Sequence, residues 1–285
     1  MQLTAAAFDA IRKAVHDLCG IVIAEDKQYL VKARVEPLLR TNGLASYESL
    51  VQQLKKPDAQ LLRDQMIEAI TTNETSFNRD GHPFDALRSC ILPELASRLI
   101  ERRATTRLPS GKARIWCAAV STGQEAYSVA MAVADCLAAR SAPGLTLDDF
   151  PILASDISSN ALATAREARY SSADLERGLT GDQRARFVQH DNQAWIVDGA
   201  LRRMIEFRRL NLAQALPDLG TFDLILCRNL LIYLDHATRQ RLCHGLHAAL
   251  NPRAILMIGA AESLYGVTDA FATERFGKTV VYRKQ

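Results

Sequence analysis

The chain has 285 residues, 48% of them hydrophobic and 24% charged, with a formal net charge of +3. These values exclude a disordered chain, leave room for two domains, and give a field too weak to argue for nucleic acid. No apolar run reaches the ~18 residues of a membrane span, and the opening "MQLTAAAFDAIRKAVHDL" carries charges within its apolar periodicity, so it reads as an amphipathic helix of a cytoplasmic protein, not a signal peptide.

In chain order, the periodicity predicts helices near 5–18, 26–40, 46–54 and 58–71, with breaks at "CGIVI" and "TNGLAS". Residues 1–72 are therefore expected to form a small helical domain, and Pro37 is expected to kink or end the second helix. Residues 73–112 hold a polar connector, "NETSFNRDGH", a helix near 83–103 and a loop, "ATTRLPSGKA". From residue 113 the rhythm changes. Strand 114–119, helix 123–139, strand 151–156, helix 158–168, strand 222–227, helix 235–250 and strand 254–259 alternate. That order implies a mainly parallel sheet with helices on both faces, an α/β domain running over 113–285. An insertion near 170–207 interrupts it, with a helix-like 180–188, Trp195–Val197 and a turn-prone Asp198-Gly199. The last stretch reads as a hairpin around Gly277.

Open parallel sheets bind ligands beyond the carboxyl ends of their strands. After the first strand stand Ser121, Thr122 and Gly123, small enough for a ligand to approach, at a helix start with free N–H groups. Glu125, in the first turn, would oppose a phosphate, and neither glycine-rich phosphate motif is present. The second strand ends in Asp156, a carboxylate able to accept both hydroxyls of a ribose, with Ser158 free to cap the following helix. Arg228 and Asn229 interrupt an apolar stretch at the end of a later strand, and Asn211-Leu212 ends "MIEFRRLNL". A nucleoside with a cationic sulfonium and an amino-acid tail suits this set, which is the chemistry of S-adenosylmethionine. The six cysteines are widely spaced, contain no C-x-x-C, and are expected to be reduced thiols; no metal site is expected.

Together, "AITTNETSFNRD", "AAVSTGQEAYS", "ASDISSNAL", "FDLILCRNLLIYLD" and "GAAESL" resemble the CheR family of chemotaxis receptor methyltransferases, over nearly the whole chain. The resemblance implies a Rossmann-like class I methyltransferase domain, with a helical N-terminal receptor-docking domain and a small β insertion. It implies S-adenosylmethionine as cofactor and S-adenosylhomocysteine as product. Asn73, Thr75, Arg79, Glu125, Asp156, Asn211, Leu212, Asn229 and Leu230 match the family's cofactor contacts, and Tyr233 is placed beside the methyl-transfer pocket. The chain departs from the pattern at Ser76, Asn78, Gln124 and Ala126.

The implied reaction is methyl transfer to receptor glutamates. A glutamate carboxylate, with a pKa of about 4.3, is already ionised at neutral pH, so no general base is needed and the enzyme's work is positioning. Arg98, Arg102, Arg103 and Arg228 are candidates to orient the acceptor, and Arg98 with Tyr233 is taken as the catalytic pair. The family's basic face meets the coiled-coil cytoplasmic region of a chemoreceptor. Here Lys32, Arg34 and Arg40 would supply it. The insertion lacks the Gly-x-Gly element of members that bind a receptor tail peptide, so tail tethering is not expected. The chain is expected to act as a monomer, without nucleic acid or membrane insertion. A non-catalytic cofactor-binding docking module of the same fold is the alternative reading, and methyl incorporation discriminates the two.

Overall fold

The computed structural model describes residues 1–106, 111–139, 143–192 and 194–285. Part of the expected 104–113 loop, residues 107–110, lies outside that set. Four helices come first: α1 (Ala5–Cys19), α2 (Gln28–Thr41), α3 (Tyr47–Leu54) and α4 (Gln60–Ile70). Thr4 caps α1 and Ser46 caps α3, each accepting from a backbone N–H, and Gly20 ends α1 in a left-handed conformation. Helix α2 runs through Pro37 to Thr41 instead of stopping there. Phe8, Ile11, Val31, Leu39 and Leu50 fill a separate small core among these helices.

The connector, residues 71–81, leads into one long helical segment from His82 to Thr106, with a π-helical turn at Leu87–Ile91. The strands follow: β1 (Ile115–Ala118), β2 (Ile152–Asp156), β3 (Arg169–Tyr170), β4 (Val188–Asp191), β5 (Ala194–Val197), β6 (Ile205–Arg209), β7 (Phe222–Cys227), β8 (Leu250–Ile258), β9 (Phe271–Phe276) and β10 (Thr279–Lys284). Seven form a sheet in the order β6-β2-β1-β7-β8-β10-β9, parallel except for the β9–β10 hairpin and its antiparallel pairing with β8. Strands β1, β2 and β7 are buried along their whole length, which is why they read as continuous apolar runs. One face packs against the helix Gln124–Ala138 and the 82–106 segment; the other packs against the helix His236–Ala248. Trp116 is fully buried, with its indole N–H donating to Ser155 Oγ at 2.9 Å.

The insertion is a three-stranded sheet, β3-β5-β4, with short helices at Ser172–Glu176 and Gly181–Phe187. Asp198-Gly199, expected as a hairpin turn, is instead a helix start. The Asp198 side chain accepts from Ala200 N at 2.7 Å and caps Gly199–Arg203, while β4 and β5 join near Asn192. Asp-Gly serves either use, and tertiary context decides between them.

The N-terminal helices dock on the carboxyl end of the sheet. Ile21 bridges Leu234, Val22 N donates to Tyr233 O at 2.8 Å, and the Glu68 carboxylate accepts from Ser158 Oγ at 2.5 Å and Asn160 N at 3.2 Å. Arg209 pairs with Asp64, holding that carboxyl below its usual range. The helices thus form a roof over the strand ends.

Candidate functional site

Between this roof and the strand ends lies a cavity of about 320 Å³, within the range of small-molecule sites. The turn after β1 forms its floor. Ala119 and Ser121 are left-handed, at φ 63° and 52°, a conformation unfavourable for residues with a Cβ and often concentrated at functional sites. The turn is pinned from three sides. Ser121 N donates to Asp156 Oδ2 at 2.7 Å, Ser121 Oγ donates to Asn73 O at 3.0 Å, and the Tyr170 hydroxyl, from the insertion, donates to Thr122 O at 2.7 Å. Gly123 is small for another reason than ligand approach. Its φ is 96°, and a Cβ there would stand 2.8 Å from Ala165 Cβ on the next helix.

Asp156 is buried, and Ser158, not Asp156, caps the following helix, accepting from Ala161 N at 2.9 Å. One Asp156 oxygen accepts from Ser121 N and the other from Ser158 N at 2.9 Å. Burial raises its pKa, and these backbone bonds oppose the rise. Each carboxylate oxygen keeps lone-pair capacity, and Asp156 lines the cavity.

Glu125 carries the other buried carboxylate. Arg228, 4% exposed, donates to Glu125 Oε2 at 2.9 Å, to Asp80 Oδ2 at 2.8 Å and to the carbonyl of Arg79 at 2.9 Å. Both terminal nitrogens of Arg228 are thereby committed to the protein, while its buried Nε has no partner. Glu125 Oε1 is buried with no hydrogen-bond partner. Burial raises the pKa of Glu125, and the Arg228 guanidinium pulls it back down. Glu125 lines the cavity, and an orphaned acceptor on its buried carboxylate calls for a donor, which a ligand can bring.

The opposite wall is the turn after β7. Asn229 is left-handed, at φ 58°. Glu262 holds this turn, its Oε2 accepting from Asn229 N at 2.8 Å and Gly259 N at 2.6 Å, and its Oε1 from Ile232 N at 3.3 Å. Leu230 and Tyr233 line the cavity, with the Tyr233 ring half-exposed at its mouth. Asn211 and Leu212 complete that side, but the Asn211 side chain is already engaged. Its amide donates to Leu18 O at 2.8 Å and its oxygen accepts from Ala213 N at 3.1 Å, which ties β6 to the N-terminal helices.

The connector closes the remaining side through Asn73, Thr75 and Arg79. Arg79 donates to Glu74 O at 2.8 Å, leaving further guanidinium N–H groups. Asn78, which departs from the family pattern, stands at φ 45° and fastens the connector to the insertion. Its amide donates to Gly178 O at 2.9 Å and Gln183 Oε1 at 3.1 Å, and its backbone N–H to Ser128 Oγ at 3.0 Å. Asparagine tolerates left-handed backbone, and an aromatic residue there would not make these bonds.

All nine residues expected to contact the cofactor, and Tyr233, therefore line one cavity. Two expectations are corrected. Arg98 is not at the site. It donates to the carbonyls of Pro252 and Arg253, at 3.0 Å each, beside the amino-terminal part of β8. Its neighbours behave alike: Arg102 pairs with Asp223 and Arg103 with Asp149. Arg34 does not offer a free basic face. It donates to Ile70 O at 2.6 Å, Thr71 O at 3.2 Å and Thr72 Oγ1 at 3.2 Å, and it lines the cavity. Lys32 is exposed, and Arg40 is exposed but paired with Glu36 at 2.9 Å. Sequence reasoning missed Glu262 as a positioning group, although "GAAESL" contained it, and missed the apolar roof of Ile21, Val22 and Ile23.

Among the described residues no helix is long and apolar enough to cross a membrane, and no cluster of three or more metal-ligand side chains occurs. The family described as "CheR methyltransferase, SAM binding domain" matches residues 73–280, and "CheR methyltransferase, all-alpha domain" matches residues 6–71. The chain is 34% identical to chemotaxis protein methyltransferase 1 of Pseudomonas aeruginosa over 284 residues, 99% of each chain. It is 33% identical to a chemotaxis protein methyltransferase of Pseudomonas putida over 97% of each chain. It is 36% identical to chemotaxis protein methyltransferase 1 of Vibrio cholerae over 93% of this chain and 92% of that one.

Proposed function

The chain belongs to the CheR methyltransferase family, and from that premise we propose that it methylates glutamate side chains of chemoreceptors, forming glutamate methyl esters. S-adenosylmethionine is the cofactor, and the donor set fits it. Asp156 suits the ribose hydroxyls and the free Glu125 oxygen suits the ammonium of the amino-acid tail. The Arg79 guanidinium suits the tail's carboxylate. The nucleoside would meet Leu212 and the apolar roof. The observation that carries the reading is the partnerless Glu125 Oε1, an acceptor waiting for a cationic donor in a cavity at the carboxyl rim of the sheet.

The bound cofactor supplies an activated methyl group on sulfonium. The protein's part is to hold the acceptor in line and to exclude water. The acceptor carboxylate arrives ionised, with a solution pKa of about 4.3, so no side chain need remove a proton. Glu262 fixes the turn that carries Leu230 and Tyr233, and this sets the shape of the mouth through which the acceptor enters. Closing the mouth strips solvent from the carboxylate and raises its reactivity. Lys32, exposed on α2, is the remaining basic candidate for receptor contact on that helix. Without a Gly-x-Gly turn in the insertion, the protein works without tail tethering, and a receptor tail pentapeptide should show no micromolar binding by calorimetry.

Incubation of the full chain with isotopically labelled S-adenosylmethionine and a receptor cytoplasmic fragment, followed by peptide mapping, tests the reading. Label on glutamate side chains supports it. Label confined to other residues, or none, overturns it.

A further inference from the structure

Four of the eight large apolar side chains exposed among the described residues stand on three segments linked to one another: Val22 (47%), Tyr233 (38%), Ile232 (49%) and Tyr265 (96%). Hydrogen bonds and chain position link these segments. Val22 N donates to the Tyr233 carbonyl, Ile232 N donates to Glu262, and Tyr265 follows Glu262 by three residues. Tyr265 lines a second depression of about 510 Å³, beyond the end of β8 and beside the β9–β10 hairpin. Arg275, Lys278 and His82 stand on its wall, with Asp269 and Glu262 as the opposing charges, the Glu262 carboxylate being taken up by backbone N–H groups. Arg275 and Lys278 have no carboxylate partner among the described residues. The Glu262 carboxylate belongs to both places, because it accepts from Asn229 N, beside the cofactor cavity, and from Gly259 N, in the groove.

Isolated exposed apolar residues are ordinary, but a nearly fully exposed tyrosine on a groove whose basic side chains lack carboxylate partners marks a contact surface. A nearly fully exposed tyrosine is the residue type that anchors interfaces once it is covered. We propose that this rim and groove seat the polypeptide flanking the methyl-accepting residue, with Tyr265 as the apolar anchor and Arg275 and Lys278 facing acidic neighbours of the target. The occupant is a glutamate-bearing segment of the acceptor protein, and this rests on the reading that the acceptor is a protein glutamate. Two features select it. Glu262 joins the groove to the turn at the mouth where the acceptor carboxylate must arrive, and the groove's cations complement a segment that is anionic because it carries glutamates.

The test uses the full chain and a receptor cytoplasmic fragment. Tyr265→Ala, and separately the double variant Arg275→Glu with Lys278→Glu, should each raise KM for the fragment about tenfold. The kcat at saturating fragment and the affinity for S-adenosylhomocysteine should stay at wild-type values, which a general folding defect would not spare. KM within twofold of wild type in both variants, while the wild type methylates the fragment, overturns the groove and leaves the methyltransferase reading standing. Should the wild type modify no glutamate, that reading fails, and a second measurement decides the groove. With benzoylphenylalanine replacing Tyr265 and S-adenosylhomocysteine bound, illumination should crosslink the fragment; no crosslink beyond that of the same probe replacing Leu61 sinks the proposal.

Discussion

The two ends of the central sheet use the same residue types in opposite ways. At the amino end, charge is settled within the protein. Asp223 accepts from Arg102 at 2.9 Å, from Arg114 N at 3.0 Å and from the Asn251 amide at 3.2 Å, and Arg98 covers two carbonyls. At the carboxyl end, residues with a Cβ sit in left-handed backbone at 119, 121 and 229, two buried carboxylates have raised pKa values, and one buried oxygen has no partner. A folded chain tolerates such a concentration of strain and incomplete bonding where a ligand completes it. The arginines show the contrast best: Arg98 neutralises carbonyl dipoles near the surface, whereas Arg228 is buried among two carboxylates.

The largest effect that would test this contrast comes from those two arginines. Arg228→Met should leave the Glu125 charge without its main partner and lower stability by about 3–5 kcal/mol in denaturant titration, with cofactor binding lost. Arg98→Met should cost about 1 kcal/mol and leave cofactor affinity unchanged; equal costs would erase the distinction between the ends. Next, Glu125→Gln should weaken S-adenosylhomocysteine binding by roughly 10- to 100-fold in calorimetry, the range for one lost charged hydrogen bond. Asp223→Asn, at the other end, should not change that affinity.

A smaller effect concerns pH. Burial raises the pKa of Glu125 above its ordinary 4.5, so on acidification it takes up a proton earlier than an exposed glutamate. The protonated form no longer attracts a cation, and affinity should fall from above pH 4.5 downward, a dependence that Glu125→Gln should flatten. The smallest effects separate two basic residues of α2. Arg34→Ala should weaken cofactor binding about fivefold, the worth of roughly one hydrogen bond, by loosening the connector. Lys32→Glu should leave that affinity alone and raise KM for the receptor fragment about two- to threefold, as expected of one exposed charge. The reverse assignment would appear as exchanged phenotypes.

The strands, the polar residues at their ends and the N-terminal helices were legible in the sequence because each depends on local pattern; that those helices roof the strand ends was not. Three buried strands read as apolar runs, and Asp156 and Asn229 stood out by interrupting apolar sequence at a strand's end. The contacts that assign individual charges were not legible. Arg34 looks like part of a basic stripe, yet it meets carbonyls 36 and 37 residues away. Arg98 meets carbonyls 154 and 155 residues away, and Arg228 meets Glu125 across 103. Helical periodicity says which side of a helix is polar and nothing of what stands opposite. Asp198-Gly199 failed differently, since the same dipeptide serves a hairpin turn or a helix cap and only the placement of β5 decides.

The most direct measurement is a structure of the full chain with S-adenosylhomocysteine bound. The account predicts the ligand's amino group within hydrogen-bond distance of Glu125 Oε1, its ribose hydroxyls on Asp156 and its nucleoside beneath Ile21 and Val22. A ligand seated elsewhere, or one that leaves the Glu125 oxygen without a partner, would contradict it.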